Sequence, residues 1–157
     1  MNIDQIATRF IDRPESSPGD VAIDGNYRRR WWLPVIGPTA TCVLNHLTTG
    51  SDGTSSWQVT TATELAVSLG LGKGTGKNSP LIRSIDRLTR FGFGYWDVEP
   101  GPGCDPCVSF YRTVGLVPRR SVAKWPTTLQ QAHAIDLAAI QGLSGLLCIG
   151  RDLSVRS

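Results

Sequence analysis

Arg83, Arg87 and Arg90 recur at spacings of four and three residues, so a helix through them carries three guanidinium groups on one face. Each is a permanently charged, planar fork of donors that matches phosphate oxygens and flat acceptor edges. Lys73 and Lys77 precede them, and from Lys73 to Arg90 five basic residues face one acidic residue, Asp86. That balance suits a local anionic partner. Taken alone the row reads better as an ordinary solvated helix face; the basic loop and the helix before it shift the balance toward a partner.

A second group with chemical potential is Cys104-Asp-Pro-Cys107. Its C-x-x-C spacing suits two ligands of a zinc site or a reversible disulfide. A four-ligand site needs two more groups, and no second cysteine or histidine pair is present. His46 and His133 are lone and distant. A shared metal therefore requires two chains, each giving two cysteines. The pair also reads as a plain turn with incidental thiols, so the expectation is no bound cofactor. Cys42 and Cys148 sit in apolar stretches and read as buried thiols, which behave as small hydrophobes.

Gly72-Lys-Gly-Thr-Gly-Lys-Asn-Ser79 superficially resembles a phosphate loop, which needs Gly, four residues, Gly-Lys and then Ser or Thr. Here Leu occupies position 71, Asn78 follows Lys77, and no buried strand precedes the loop. ATP binding is rejected. No paired carboxylates, nucleophile elbow or histidine at motif spacing from Ser or Cys supports catalysis, and the chain reads as a non-enzyme.

The elements that must position the arginines are marked by helix signals. Ser79 reads as an N-cap, Pro80 suits the first helical position, and Gly92 suits a left-handed stop. Leu81, Ile82, Ile85 and Leu88 form the apolar stripe opposite the arginines. Upstream, Gly37-Pro38 opens a helix carrying Ala40, Val43, Leu44 and Leu47 and ending near Thr49-Gly50. Trp57-Gln-Val59 alternates as a short strand does. Thr61-Ala-Thr-Glu64 matches a capping box and opens a helix that Gly70 ends. Downstream, two β-rich runs, Tyr95–Glu99 and Val108–Val114, flank a Pro/Gly tip and read as a hairpin. Thr127-Thr-Leu-Gln130 is another capping-box match, opening a helix to about Gly142. The tail from Leu143 to Cys148 is apolar enough to dock.

Residues 1–30 read as an arm and linker with a weak helical pattern, Ile3, Ile6, Phe10 and Ile11. Tyr27-Arg-Arg-Arg-Trp-Trp follows; Trp31 or Trp32 is expected in the core, with the arginines solvated or contacting phosphates. The whole chain has 157 residues and a net charge of +3, enough for one domain with an added element. No apolar run approaches the roughly 20 residues of a membrane span. The early acidic residues argue against a secretory signal. A cytoplasmic protein without membrane contact is expected.

The order helix, strand, helix, helix, hairpin resembles the winged helix-turn-helix superfamily, and more narrowly its small actinobacterial, phage and other mobile-element members. Trp32-Leu-Pro-Val-Ile-Gly-Pro-Thr39, Glu64-Leu-Ala-Val-Ser-Leu-Gly-Leu71, Asn78-Ser-Pro-Leu-Ile-Arg83, Arg87-Leu-Thr-Arg-Phe-Gly92 and Arg119-Arg-Ser-Val-Ala-Lys-Trp-Pro126 carry the likeness. It implies an α+β fold, with a three-helix core and a β-hairpin wing over residues 31–126. Residues 127–157 would add a C-terminal helix and tail, suited either to a homodimer contact or to packing back on its own domain. It also implies double-stranded DNA binding and transcription regulation, with helix 79–91 in the major groove. Arg83 and Arg87 are then the expected base contacts. Lys73, Lys77, Ser79 and Arg90 are the phosphate contacts, and Ser84 and Arg112 complete the candidate set. A protein-interaction module, or a DNA-binding accessory factor of a phage or plasmid, remains a competing reading. The acidic wing residues Asp97, Glu99 and Asp105 depart from a plain basic wing.

Overall fold

The computed structural model describes residues 2–154, with side chains described through residue 142. In chain order the elements are β1 (Gln5–Ile11), β2 (Val21–Ala22), α1 (Asn26–Trp31), α2 (Leu33–Ile36), α3 (Pro38–Thr49), β3 (Gln58–Thr61) and α4 (Ala62–Ser68). They continue with α5 (Pro80–Arg90), β4 (Gly94–Val98), β5 (Cys107–Tyr111), β6 (Thr113–Val114), α6 (Arg119–Val122) and α7 (Thr127–Ser154). The class is α+β. Two units separate, Met1–Gly115 and Leu116–Ser157.

The main departure from the expected organisation lies at the N-terminus. Residues 5–11 are not a helical arm but an inner strand of a mixed four-stranded sheet ordered β3-β1-β5-β4. β1 runs antiparallel to β3, with Ala7 opposite Val59. It runs parallel to β5, with Arg9 opposite Ser109. Ile6, Thr8 and Phe10 are buried on one face while Ala7, Arg9 and Ile11 are part-exposed on the other. That alternation of period two is the strand signal. Ile3, Ile6 and Phe10 satisfy a helical spacing equally well, and polar Thr8 hides the alternation.

The inner sheet face meets the helices. Phe10 and Phe110 stack at 5.7 Å, and Trp32 sets its edge on Phe93 at 5.0 Å. Both Trp31 and Trp32 are buried, and the Trp32 indole N–H donates to the Gly115 carbonyl at 3.0 Å. The arginines before them divide. Arg29 and Arg30 are exposed, and Arg30 stacks on Trp31 at 4.5 Å. Arg28 is fully buried, contrary to a solvated or phosphate-contacting role. Its Nε donates to the Ile23 carbonyl and its Nη1 to Asn45 Oδ1 at 2.7 Å. Burial, helped by neighbouring Arg29 and opposed by Asp24, pushes its pKa down to about 10.

Helix α3 buries Ala40, Thr41, Val43 and Leu44. Cys42 falls on the other side and is exposed, so its expected burial is corrected by helical geometry. The Cys148 side chain lies outside the described residues.

In the second unit, α7 runs through Gly142 to Ser154, longer than expected. A mid-helix glycine costs about 1 kcal/mol relative to alanine, which is too little to end a helix whose flanking turns continue. The expected docking of Leu143–Cys148 concerns side chains outside the described residues. Before α7, Gln130 Nε2 donates to the Trp125 carbonyl at 2.8 Å, and Trp125 meets His133 edge-on at 5.6 Å. Desolvation lowers the His133 pKa, and Asp136 opposes it. Among the described residues no helix is long and apolar enough to cross a membrane.

Ile6→Ala should lower unfolding free energy by about 3 kcal/mol in denaturant titration, whereas Val59→Ala, on the exposed sheet face, should change it by less than about 1 kcal/mol. For His133, a depressed native pKa means that the unfolded chain binds the proton first. Stability should therefore fall as pH drops from the ordinary histidine value, near 6.5, toward the lower native value. Thermal melts of His133→Gln should lack that slope.

Candidate functional site

The arginine row stands where the helix signals put it. Ser79 Oγ accepts from the Ile82 amide at 3.4 Å, and Pro80 follows at the first position. At the other end the Phe93 amide reaches the Leu88 carbonyl and the Gly92 amide the Thr89 carbonyl, at 3.1 Å each. This is a Schellman stop, and Gly92 takes its required positive φ of 84°. Leu81, Ile82, Ile85 and Leu88 are almost wholly buried. Each contributes about 1.5–3 kcal/mol by leaving water, so the rotational setting of α5 is firmly held.

Arg83, Arg87 and Arg90 are therefore exposed together. Their surroundings differ. Arg90 pairs with Asp86 at 2.8 Å on the helix surface. Arg87 Nη2 donates to the Val35 carbonyl at 3.1 Å, and its guanidinium lies 5.7 Å from the Phe91 ring centre. The Arg83 guanidinium has no hydrogen bond or ion pair among the described residues. None of the three is sequestered in an internal ion pair.

These side chains line a cleft of about 760 Å³. One wall is α5 with Lys77 and Asn78; the other includes the start of α3 at Pro38, Thr39 and Ala40, together with Trp96 and Glu99 of the hairpin. Gly37 gives α3 no side-chain cap, and Pro38 has no amide to satisfy. The far wall was not legible from motifs, although Gly37-Pro38 marked the helix start that forms part of it.

Of the other candidate residues, Ser84 lines the cleft and the rest scatter. Lys73 is exposed but lies outside the cleft lining. The loop bearing it and Lys77 is pinned, since Thr75 is buried and its carbonyl accepts from the Ile3 amide at 3.1 Å. Ser79 is buried as a cap. Ser84 reaches the cleft lining but is otherwise buried, and its hydroxyl donates to the Pro80 carbonyl at 2.7 Å, so it is engaged within its own helix. Arg112 joins Asp12 at 2.9 Å and Ser55 Oγ at 3.0 Å. It fastens the loop before β3 and does not line the arginine cleft.

Strands β4 and β5 form the expected hairpin, with Tyr95 opposite Ser109 and a register shift between Trp96 and Val98. Asp97 accepts from Ser109 Oγ at 2.6 Å and pairs with Arg9 at 3.4 Å, so its charge is answered within the sheet. Asp105 accepts weakly from the Gln5 amide at 3.4 Å. Cys104 is exposed at the tip and Cys107 half-buried at the start of β5, both free thiols. No group of three or more potential metal ligands lies together among the described residues.

The arrangement offers forked cationic donors to an elongated anion or to flat acceptor edges. The chain matches no protein-family model, no curated protein and no solved structure.

At Gly94, a Cβ would meet the Ser109 carbonyl and come within 2.9 Å of Phe110 Cα. Gly94→Ala should therefore cost at least about 2 kcal/mol in unfolding free energy, and amide exchange should show the β4–β5 pairing loosened.

Proposed function

We propose that this chain is a winged helix-turn-helix protein that binds double-stranded DNA through α5. In this reading α3, α4 and α5 are the three core helices, with α5 as the recognition helix. The β4–β5 hairpin is the wing, and β1 is an added strand between the strand of the helical core and the wing. The observation that carries the proposal is the outward row Arg83, Arg87 and Arg90, joined by Lys77 in one cleft and backed by a buried apolar stripe. A helix so armed suits the major groove, where arginine donates bidentately to guanine.

Arg83 is the leading base contact, because its guanidinium has no competing partner among the described residues. Arg87, tethered to Val35, is a second, more restricted one. Lys77, Lys73 and Arg90 then serve the phosphates. Transcription regulation in the cytoplasm is the expected role, with α7 as the surface for a homodimer; a phage or plasmid accessory factor would use the same contacts. A protein-binding module is the second reading, favoured by Asp86 and Glu99 within the cleft.

Fluorescence anisotropy on a duplex of about two helical turns separates these readings. DNA binding predicts a steep loss of affinity as salt rises, each neutralised phosphate adding about 0.9 to the log–log slope. Arg83→Ala should lose about 1–3 kcal/mol on a selected sequence. No duplex affinity at low salt, or a wild-type affinity in Arg83→Ala, contradicts the proposal.

A further inference from the structure

Asp86 is out of keeping with the surface it occupies. It lies on the outer face of α5, three residues after Arg83, and lines the same cleft as Arg83, Arg87, Arg90 and Lys77. A carboxylate there repels phosphates, and an exposed ion pair one helical turn long contributes little to stability. Its geometry is nevertheless defined. Asp86 Oδ2 lies 2.8 Å from Arg90 Nη2 in an ion pair on the helix surface. Oδ1 has no partner among the described residues, and the side chain is 39% exposed.

We infer that, granted the DNA-binding reading above, Arg83 and Asp86 are a paired base reader, with Asp86 accepting from the amino group of a cytosine beside the guanine that Arg83 contacts. Three residues of helix advance by about 4.5 Å, against about 3.4 Å between stacked base pairs. The two side chains thus address neighbouring steps. In the major groove only cytosine and adenine present an amino donor, and adenine adds the N7 acceptor beside it. A carboxylate faces that acceptor unfavourably, so it selects cytosine. Arg90, paired with Asp86 at 2.8 Å, offsets the repulsion between that carboxylate and neighbouring phosphates; the base contact itself rests on Arg83 and Asp86.

The test is selection from random duplexes with the full chain, run in parallel on wild type, Asp86→Asn and Arg90→Ala. Wild type should select a guanine contact next to a pair at which cytosine is favoured about tenfold or more. Asp86→Asn should keep the guanine and move the neighbouring preference from cytosine to adenine, because an amide matches the adenine edge. Arg90→Ala also breaks the ion pair but keeps the carboxylate. It should bind every sequence more weakly while retaining the cytosine preference. If Asp86→Asn selects the wild-type sequence and simply binds all duplexes more tightly, Asp86 only tempers charge and the inference falls. Loss of the cytosine preference in both variants alike also overturns the direct contact. If wild type binds no duplex at low salt, the DNA-binding reading fails and takes this inference with it.

Discussion

The backbone ladder through β1 is the constraint on which the first unit depends. A strand of seven residues joins β3, which leads directly into α4, to β5, which forms the hairpin with β4. Its pairing with β5 closes a loop of about 100 residues, a contact whose entropic cost grows slowly with length. The inner face of the strand adds Ile6 and Phe10 to the core under the helices. Without that strand, β3 and β5 would present unpaired edges, which are prone to pairing with other chains.

Helix α5 meets this core with one face and solvent with the other. The apolar stripe and both caps set its position, so the arginines need contribute nothing to folding. That separation is what leaves side chains available for a partner. It is incomplete: Arg87 reaches back to the Val35 carbonyl in α2, and Arg90 pairs with Asp86. Arg83 is the residue least committed to the protein itself, and it is the one whose chemistry points outward most directly.

Local signals in the sequence were readable where the physics is local. The Ser79 and Thr61 caps, the Gly92 stop, the α3 stripe and the hairpin all depend on residues within a turn or two of each other. The N-terminal strand was hidden because its partners lie about fifty and one hundred residues away, and because Ile3, Ile6 and Phe10 fit two periodicities. Arg28 was read as a surface cation. Only the fold brings the Ile23 carbonyl and Asn45 around it, and one of its nitrogens, Nη2, has no partner among the described residues even so. For the site, the arginine row was legible, but the cleft was not, since its second wall comes from α3 and β4. Ser84 and Arg112 have the right chemistry for phosphate, yet one is buried and the other is occupied at the loop before β3.

The balance of charge in the cleft decides what kind of partner fits. Four cations outnumber Asp86 and Glu99, while Asp97 is neutralised by Arg9 on the other sheet face. A mixed surface of this kind favours a discriminating contact over a strong unspecific one.

The proposed contact between the outer face of α5 and DNA is open to direct observation. Amide and guanidinium NMR shifts, followed while a duplex is added at low salt, test it most directly. The largest changes should cluster at Lys77, Arg83, Arg87 and Arg90, with the buried stripe behind them little altered. Changes confined to other surfaces, or none at all, would contradict it.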